Sequence, residues 1–258
     1  MSSNPKIACV IPARLQSSRF PRKILIDILD KPMMQWVWEA ANSTKLFDSV
    51  TFAIDSHEAI EIIEGFGGKY IMTSETCANG TERIIEVLNS GKVTADVWVN
   101  WQCDEPFITK KMIEQLLQTA HLKDADVWTL KKQIEKFEEI DSLQIAKLVC
   151  DSENYALYFS RSRIPQIRDE KDKNEDFMKN LYFKHVGIYA YSTEALRKIE
   201  KLKNKQCAIE EAEKLEQLKF LYYGLKIKAH TTDQNVFGID LPEHKLKAEE
   251  FANNLIQK

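Results

Sequence analysis

The stretch KIACVIPARLQSSRFPRK, residues 6–23, joins an apolar run to a loop that contains four cations and no glycine. The apolar run predicts a buried β-strand, and the cations that follow it are Arg14, Arg19, Arg22 and Lys23. In a doubly wound α/β sheet, the carboxyl end of the first strand faces the ligand crevice. The loop is therefore either a solvated charged turn or an anion site in which side chains replace a glycine-rich phosphate cradle.

The rest of the N-terminal half alternates short apolar runs with amphipathic segments. Strands are predicted for SVTFAID (49–55) and ADVWVNWQ (95–102). Helices are predicted for MMQWVWEAANSTK (33–45), opened by Pro32, and for HEAIEIIEGF (57–66), GTERIIEVLNS (80–90) and TKKMIEQLLQTA (109–120). This alternation indicates an α/β fold with a mainly parallel sheet, in which ligands bind beyond the carboxyl ends of the strands.

In the second half of the sequence, predicted strands outnumber predicted helices. A hairpin is predicted for AKLVC (146–150) and YALYFSRSRI (155–164), further strands for FKHVGIYAY (183–191) and LKIKAHT (225–231), and an exposed loop for the polar run 168–180. One amphipathic helix is predicted over 208–223, with an apolar stripe formed by Ile209, Ala212, Leu215, Leu218 and Tyr222, and another helix closes the chain. We expect a single domain, 1–258, with a β-rich part at about 128–230.

Composition limits the partners and the compartment. A net charge of −3 argues against nucleic acid as the main partner, because such binding relies on a broad basic face. Five scattered cysteines without a C-x-x-C pair favour free thiols in a reducing compartment. We see neither a secretory signal nor an apolar run of roughly 18 residues, so we expect a cytoplasmic protein without a membrane span.

Two carboxylates follow apolar strands. Asp104 lies in WQCDEP and Asp240 in GIDLP, and each is consistent either with a helix cap or with a Mg²⁺ ligand. In FKHVGIYAY, His185, Gly187 and Tyr189 share one strand face by their spacing of two. Without further context, a lone His on a strand is more often structural, and Arg161, at strand spacing, is most often a solvated cation. Glu216 and Gln217 lie beside the apolar stripe of their helix, where they are simply flank residues.

In their order along the chain, IPAR, SSRFPRK, NGTER, VNWQCDEP, ALYFSRSRIP, KHVGIYAY, LEQL and GID resemble the 3-deoxy-manno-octulosonate cytidylyltransferases, also called CMP-Kdo synthetases. The resemblance covers nearly the whole chain. It implies a Rossmann-like, GT-A-like nucleotidyltransferase fold with a smaller β-rich subdomain, assembled as a homodimer. It also implies Mg²⁺-dependent transfer of CMP from CTP to the anomeric hydroxyl of the sugar acid, with release of pyrophosphate, which activates the sugar for lipopolysaccharide biosynthesis.

The resemblance assigns roles to matching residues. CTP phosphates would be held by Arg14, Arg19 and Lys23, the cytosine would lie against Gly80 and Arg83, and Mg²⁺ would be bound by Asp104 and Asp240. Of these, Arg19, Lys23 and Asp104 would act in catalysis. The sugar acid would be surrounded by Gln102, Arg161, His185, Tyr189, Glu216 and Gln217.

This chain departs from the family pattern at three single positions and in the run DQNVFGIDLPEH (233–244), which differs from the common run before the second metal ligand. Arg22 replaces the glycine of P-G-K, Cys103 replaces the glycine of Q-G-D-E-P, and Glu211 stands where a late helix usually begins with a histidine. Glu211 is either a favourable charge near a helix N-terminus or a sugar-binding residue for an ammonium, as in the 8-amino-8-deoxy analogue of the sugar. The nucleotide chemistry is therefore better specified by the sequence than the exact sugar.

Two other functions remain open at this stage. One is nucleotidyl transfer to a different acceptor, either another sugar acid such as a sialic acid or a sugar phosphate. The other is a nucleotide-binding relative without turnover, against which the retention of Lys23, Asp104 and Asp240 speaks.

Overall fold

The computed structural model of the chain describes residues 4–16, 20–169, 180–235, 237–239 and 241–256. The chain divides into two compact units. The first unit comprises Met1–Glu114 and Asn235–Lys258, and the second comprises Gln115–Gln234, which includes the predicted β-rich part at about 128–230. Most of the predicted polar loop, residues 170–179, lies outside the described residues.

The first unit is built on four parallel strands. Strand β1 (Ile7–Ala13) lies between β4 (Ser49–Ile54) and β6 (Val97–Asn100), and β4 also pairs in parallel with β5 (Tyr70–Met72). Two short strands, β2 (Asp27–Ile28) and β3 (Lys31–Pro32), form a separate antiparallel ladder. Strands β1 and β6 are almost entirely buried, as their continuous apolar runs require in a sheet covered on both faces. The predicted parallel α/β architecture is confirmed.

The helices of this unit follow the predicted segments closely. They are α1 (Met33–Thr44), α2 (Glu58–Gly65), α3 (Gly80–Asn89), α4 (Lys110–Leu116), which runs across the unit boundary in sequence, and α9 (His244–Ile256). Pro32 is the residue before α1 rather than a member of its first turn. At α3 the side chain of Asn79 accepts the backbone N–H of Glu82 at 2.9 Å, which caps the helix and fixes where it begins.

The second unit is mostly antiparallel. Its central strand β7 (Val127–Gln133) pairs antiparallel with β10 (Phe183–Ser192) and parallel with β11 (Ile227–Thr231). Strand β10 pairs with β8 (Lys147–Cys150), which forms the predicted hairpin with β9 (Ala156–Ser160). The turn between them is closed by Asp151, whose carboxylate accepts two backbone N–H groups. Helices α5 (Phe137–Asp141) and α6 (Thr193–Glu200) also belong to this unit.

The single helix predicted over 208–223 is wrong. The segment forms two short helices, α7 (Ala208–Glu213) and α8 (Glu216–Tyr222), because Lys214 takes a left-handed backbone conformation with φ 53°. Two residues of the predicted stripe, Leu215 and Leu218, are buried, whereas Tyr222 is 62% exposed. Contacts made by Glu213 with β9, described below, compete with continuation of the helix, so tertiary interactions override a periodic sequence pattern.

Strand β10 contains an irregularity that the sequence pattern did not reveal. Its register against β7 shifts between Val186 and Tyr189, as in a β-bulge. His185 and Tyr189 nevertheless lie side by side, with ring centroids 5.2 Å apart. Among the helices of the described residues, none combines the length and the apolar character that a membrane crossing needs.

The backbone conformation at Arg22 shows why a glycine suits this position of the opening loop. The backbone of Arg22 is left-handed, with φ 58°, a conformation that costs roughly 1–2 kcal/mol for a residue with a Cβ atom. Its guanidinium bonds the carboxylate of Glu58 at 2.5 Å, and its side chain is 62% exposed. Arg22 therefore pairs with α2 at the surface instead of joining the other cations of the loop.

We expect Arg22→Gly to raise the free energy of unfolding by up to about 1 kcal/mol, because relief of the left-handed strain exceeds the loss of an exposed ion pair. Arg22→Ala is the matched control, since it loses the same ion pair and keeps the strain. Urea unfolding of both variants tests this. Greater destabilisation by glycine than by alanine would contradict the strain argument.

Candidate active site

A cavity of about 270 Å³ opens at the carboxyl ends of β1 and β6, beside the first turn of α3. Parallel strands bring these ends to one edge of the sheet, which is where such folds bind ligands. The cavity is lined by six residues that the sequence assigned to ligands: Arg14, Lys23, Gly80, Arg83, Gln102 and Asp104. Arg19 and Asp240 lie outside the described residues, so their placement stays a prediction.

Lys23 and Asp104 form an ion pair at this cavity. The ammonium of Lys23 bonds Oδ2 of Asp104, and the side chains are 13% and 25% exposed. The lysine lies in a short 3₁₀ turn, Lys23–Leu25, and the aspartate follows β6. A cation and an anion therefore sit together within reach of a ligand in the cavity, where either can change partner when a charged ligand enters.

Arg83 is held by three acceptors. Its guanidinium bonds Oδ2 of Asp55 at 2.7 Å, the hydroxyl of Thr73 at 2.7 Å and the carbonyl of Ser74 at 3.2 Å. The other carboxylate oxygen of Asp55 accepts the backbone N–H of Leu15 at 3.0 Å. This buried pair fastens the opening loop to α3, so Arg83 shapes the cavity wall, and its contact with a cytosine stays a prediction.

Gly80 occurs where no side chain fits. A Cβ atom built there would lie 2.8 Å from Nε2 of Gln102 and 3.2 Å from Pro12. Gln102 is itself positioned by donating to Oδ1 of Asn100 at 2.9 Å. The glycine therefore lets α3 approach β6 closely and keeps Gln102 turned into the cavity.

Two cysteines also line the cavity, and both favour the neutral thiol. Burial, followed by a hydrogen bond with Glu86, raises the pKa of Cys77 to about 12. Burial, followed by the charge of Asp104, raises the pKa of the Cys103 thiol well above its usual value. All five cysteines have free thiols, as predicted, and these two are shape-determining groups rather than nucleophiles.

The residues at Asp104 fit a hard divalent cation. Within the described part of the chain, Lys23 occupies Oδ2 of Asp104 and no donor bonds Oδ1. The backbone carbonyl of Asp104 accepts the backbone N–H of Ile239 at 2.8 Å. The residue that precedes Asp240 in the sequence is therefore bonded to the backbone of Asp104. No cluster of three or more His, Cys, Asp or Glu side chains suited to a metal occurs among the described residues. Mg²⁺ typically uses one or two carboxylates and takes its other ligands from phosphate and water.

In the second unit, Arg161 is fixed by backbone carbonyls. Its Nε donates to Glu213 at 2.8 Å and its Nη1 to Leu143 at 3.1 Å. Among the described residues, Nη2 has no acceptor. One edge of the guanidinium is thus used to orient the side chain, and Nη2 remains for an anion such as a carboxylate.

His185 is half-buried and packs against aromatic rings. Its ring lies 5.2 Å from those of Phe159 and Tyr189, and its Nε2 is 2.9 Å from the hydroxyl of Thr129. That hydroxyl also lies 2.8 Å from the carbonyl of Ile188, which can only accept a proton, so we assign the proton of this contact to Nε2 of His185. Burial lowers the pKa of His185 to about 4, and the neutral ring presents Nδ1 as an acceptor.

Tyr189 lies on the same strand as His185 and is sensitive to the charge of Glu216 on α8. Burial raises the pKa of Tyr189 well above its usual value, and the charges of Tyr191 and Glu216 act in the same direction. Gln217, on α8, is 4% exposed, and its Nε2 has no hydrogen-bond partner within the described part of the chain. Glu211 lies in the first turn of α7 and is exposed. The buried amide of Gln217, with its unused donor, points to a ligand. The exposed position of Glu211 is compatible both with a favourable helix charge and with a sugar-binding residue.

Asp55, Lys147 and Glu213 were not among the site residues predicted from the sequence. Asp55 follows β4 at the same sheet edge as Asp104, so the strand-end rule could have found it. Lys147 and Glu213 resemble ordinary surface charges in the sequence. Nothing in their local pattern signals the contacts that they make.

Comparisons with known proteins identify the family that this chain resembles over most of its length. A family model described as "Cytidylyltransferase" matches residues 8–227. The 3-deoxy-manno-octulosonate cytidylyltransferase of Thermodesulfovibrio yellowstonii is 41% identical over 252 residues, which cover 95% of this chain and 97% of that protein. That of Porphyromonas gingivalis is 39% identical, covering 95% and 96%.

Solved structures are similar at two levels. A CMP:2-keto-3-deoxy-manno-octonic acid synthetase complexed with CTP superposes with a TM-score of 0.88 and 37% identity, covering 96% of this chain and 99% of that chain. A 4-diphosphocytidyl-2C-methyl-D-erythritol synthase from Anaerococcus prevotii has a TM-score of 0.61 at 12% identity, covering 96% and 98%, which shows the fold alone.

Proposed function

This chain belongs to the 3-deoxy-manno-octulosonate cytidylyltransferase family, and from that premise we infer that it transfers CMP from CTP to 3-deoxy-manno-octulosonate (Kdo) and releases pyrophosphate. The observation that supports the inference is a cavity lined by Arg14, Lys23 and Asp104 in a chain that belongs to this family. The anomeric hydroxyl attacks the α-phosphorus of CTP, and pyrophosphate leaves in line. No covalent nucleophile is needed.

The cavity residues bind and orient the nucleotide. Lys23 exchanges its bond with Asp104 for a phosphate oxygen, and Arg14 adds a planar, charged donor to the same triphosphate. We assign Arg19 to the phosphates as well. Gly80 lets the base approach α3 closely, and the tie between Asp55 and Arg83 keeps the opening loop in place around it.

We propose that Asp104 and Asp240 hold one Mg²⁺. When bound, this ion neutralises charge on the phosphate oxygens and lowers the repulsion between the two anionic substrates. Asp104 suits this role because its Oδ1 has no donor among the described residues, and because Lys23, its partner at Oδ2, can transfer to phosphate.

The sugar acid is assigned to the second set of residues. Arg161 offers Nη2 to the carboxylate, neutral His185 offers Nδ1 to a hydroxyl, and Gln217 offers a buried amide N–H. The family resemblance also assigns Tyr189, Glu216 and Gln102 to the sugar acid. This assignment rests on family resemblance, on the anchored guanidinium and on the unused donor of Gln217.

An assay of pyrophosphate release tests the function. The purified chain is incubated with MgCl₂, with CTP or another nucleoside triphosphate, and with Kdo, a sialic acid or a sugar phosphate. We expect turnover with CTP and Kdo. Turnover with a sialic acid or a sugar phosphate in place of Kdo would identify the alternative acceptor, and absence of turnover with every pair would indicate a binding protein.

The carboxylate of Glu211 leads to a narrower prediction, which concerns the preference between Kdo and its 8-amino analogue. If this carboxylate meets an ammonium at carbon 8, the kcat/KM for 8-amino-8-deoxy-Kdo should exceed that for Kdo by roughly 10- to 150-fold, the range of one charge-assisted hydrogen bond of about 1.5–3 kcal/mol. The preference should shrink in Glu211→His. The neighbouring Glu210→Gln, which removes the partner of Lys219, is the matched control and should leave it unchanged. Equal efficiency on both sugars would mean that Glu211 is only a favourable helix charge.

Two further properties are proposals from the same family membership. We propose a homodimer located in the cytoplasm, where CTP is made available to biosynthetic enzymes. Sedimentation at several protein concentrations tests the dimer, and fractionation of cells tests the location.

A further inference from the structure

Lys147 is a fully buried lysine at the first position of β8. Its ammonium donates to the carbonyls of Ser142 and Ile145, each at 2.8 Å, and to the carbonyl of Arg161. A lysine has three N–H donors, so all of them are used by the backbone. Burying a charge costs free energy unless the charge is paired and hydrogen-bonded. Here the ammonium is hydrogen-bonded to two loop carbonyls and to one carbonyl just after β9.

These carbonyls belong to the two segments that orient Arg161. Residues 142–145 precede β8, and within them the carbonyl of Leu143 accepts Nη1 of Arg161. Arg161 itself follows β9. Lys147 therefore bonds the backbone of Arg161 and also the loop that holds its guanidinium, so one ammonium fixes both ends of this side chain.

Glu213 secures the same residue from the other side. Its Oε2 accepts the backbone N–H of Arg161 at 2.9 Å, its Oε1 accepts the hydroxyl of Ser160 at 2.6 Å, and its carbonyl accepts Nε of Arg161. Glu213 ends α7, three residues before Glu216 and four before Gln217. The contact connects the break between α7 and α8 to the end of β9.

Charged groups of both signs surround Lys147 within the unit. Burial lowers the pKa of Lys147, and the nearby carboxylates of Asp141 and Glu213 oppose that shift, while the charge of Arg161 adds to it. Asp141 is itself paired with Arg163. These groups form a connected set of charges that is costly to leave incomplete.

We propose that Lys147 is a positioning residue for sugar binding: it acts through Arg161, with Glu213 as its counterpart, by presenting Nη2 of Arg161 to the carboxylate of the sugar acid. The proposal rests on the proposed role of Arg161 in the sugar site. It adds two residues that touch neither substrate but determine how tightly the sugar binds.

The test compares steady-state constants for both substrates in Lys147→Met, which keeps a long side chain and removes the three donors. We expect the KM for Kdo to rise by about 10-fold, which is at the lower end of the roughly 10- to 150-fold effect of losing one charge-assisted hydrogen bond. The KM for CTP should change by less than about 2-fold. Lys228→Met is the matched control, because it removes an ammonium bonded to Asp124 elsewhere in the unit and should leave both values unchanged.

A double variant separates positioning from general weakening of the fold. If Lys147 acts through Arg161, Lys147→Met should add less than about 2-fold to the KM for Kdo in an Arg161→Ala background. Glu213→Gln makes the same test if Lys147→Met does not fold, since it loosens the backbone of Arg161 from the opposite side and should also raise the KM for Kdo alone.

The outcomes distinguish the proposal from its premise. An Arg161→Ala variant with an unchanged KM for Kdo would overturn the sugar role of Arg161 and this proposal with it. A large effect of Arg161→Ala, combined with an unchanged KM for Kdo in Lys147→Met, or in Glu213→Gln where that variant replaces it, would overturn the positioning role alone. Equal increases in the KM values of both substrates would also overturn it.

Discussion

We expect Asp104→Asn to lower kcat by at least about 100-fold at saturating MgCl₂, because the reaction would lose a main source of charge stabilisation around the phosphates. The substitution keeps the shape of the side chain and removes its charge. It therefore abolishes the proposed cation ligand and also the ion pair that places Lys23 at the cavity.

The control for this prediction lies at the other edge of the same sheet. Asp48 accepts the backbone N–H of Ile7 at 2.7 Å, at the amino end of β1 and away from the cavity. Asp48→Asn should keep a kcat close to that of the unaltered protein. Near-normal turnover by Asp104→Asn would contradict the metal assignment.

Lys23→Ala and Arg161→Ala should affect different substrates. Lys23→Ala should raise the KM for CTP, and Arg161→Ala the KM for Kdo, each by roughly 10- to 150-fold, as expected when an anion loses one charge-assisted hydrogen bond of about 1.5–3 kcal/mol. The two residues lie in different units, where Lys23 bonds Asp104 and Arg161 bonds the carbonyl of Glu213. Steady-state kinetics with each substrate varied in turn measures the effect.

A conservative variant sharpens this comparison. Arg161→Lys retains a charge but cannot reproduce the contacts of Nε and Nη1 with two carbonyls, so it should recover little of the lost affinity for Kdo. If Arg161→Ala raised the KM for CTP and not that for Kdo, the assignment of the sugar pocket would be wrong.

The first unit could be predicted well from sequence because its signals are local. The apolar run of β1 is long enough to require burial on both faces, and the following helices have caps or periodic apolar residues. Asp104 and Lys23 could be selected because a strand end in this architecture is already a ligand-facing position. Their direct pairing, however, depends on side-chain geometry, which no spacing rule supplies.

The second unit was harder to predict because its decisive contacts join residues far apart in sequence. The periodic segment 208–223 resembles one helix, but Glu213 bonds Ser160 and Arg161, and Lys214 turns the chain into a second helix. Lys147 resembles a solvated cation at the start of a strand, yet it is fully buried. Long-range hydrogen bonds of this kind override local preference and leave no periodic signal.

The central claim is that the anomeric hydroxyl of Kdo attacks the α-phosphorus of CTP. Kdo labelled with oxygen-18 at its anomeric hydroxyl, converted with unlabelled CTP and observed by phosphorus NMR, tests this directly. The label should appear in the oxygen that bridges the sugar and the phosphorus of the CMP product, and the pyrophosphate should contain none. Label in the pyrophosphate, or a nucleotide product whose bridging oxygen is unlabelled, would contradict the account.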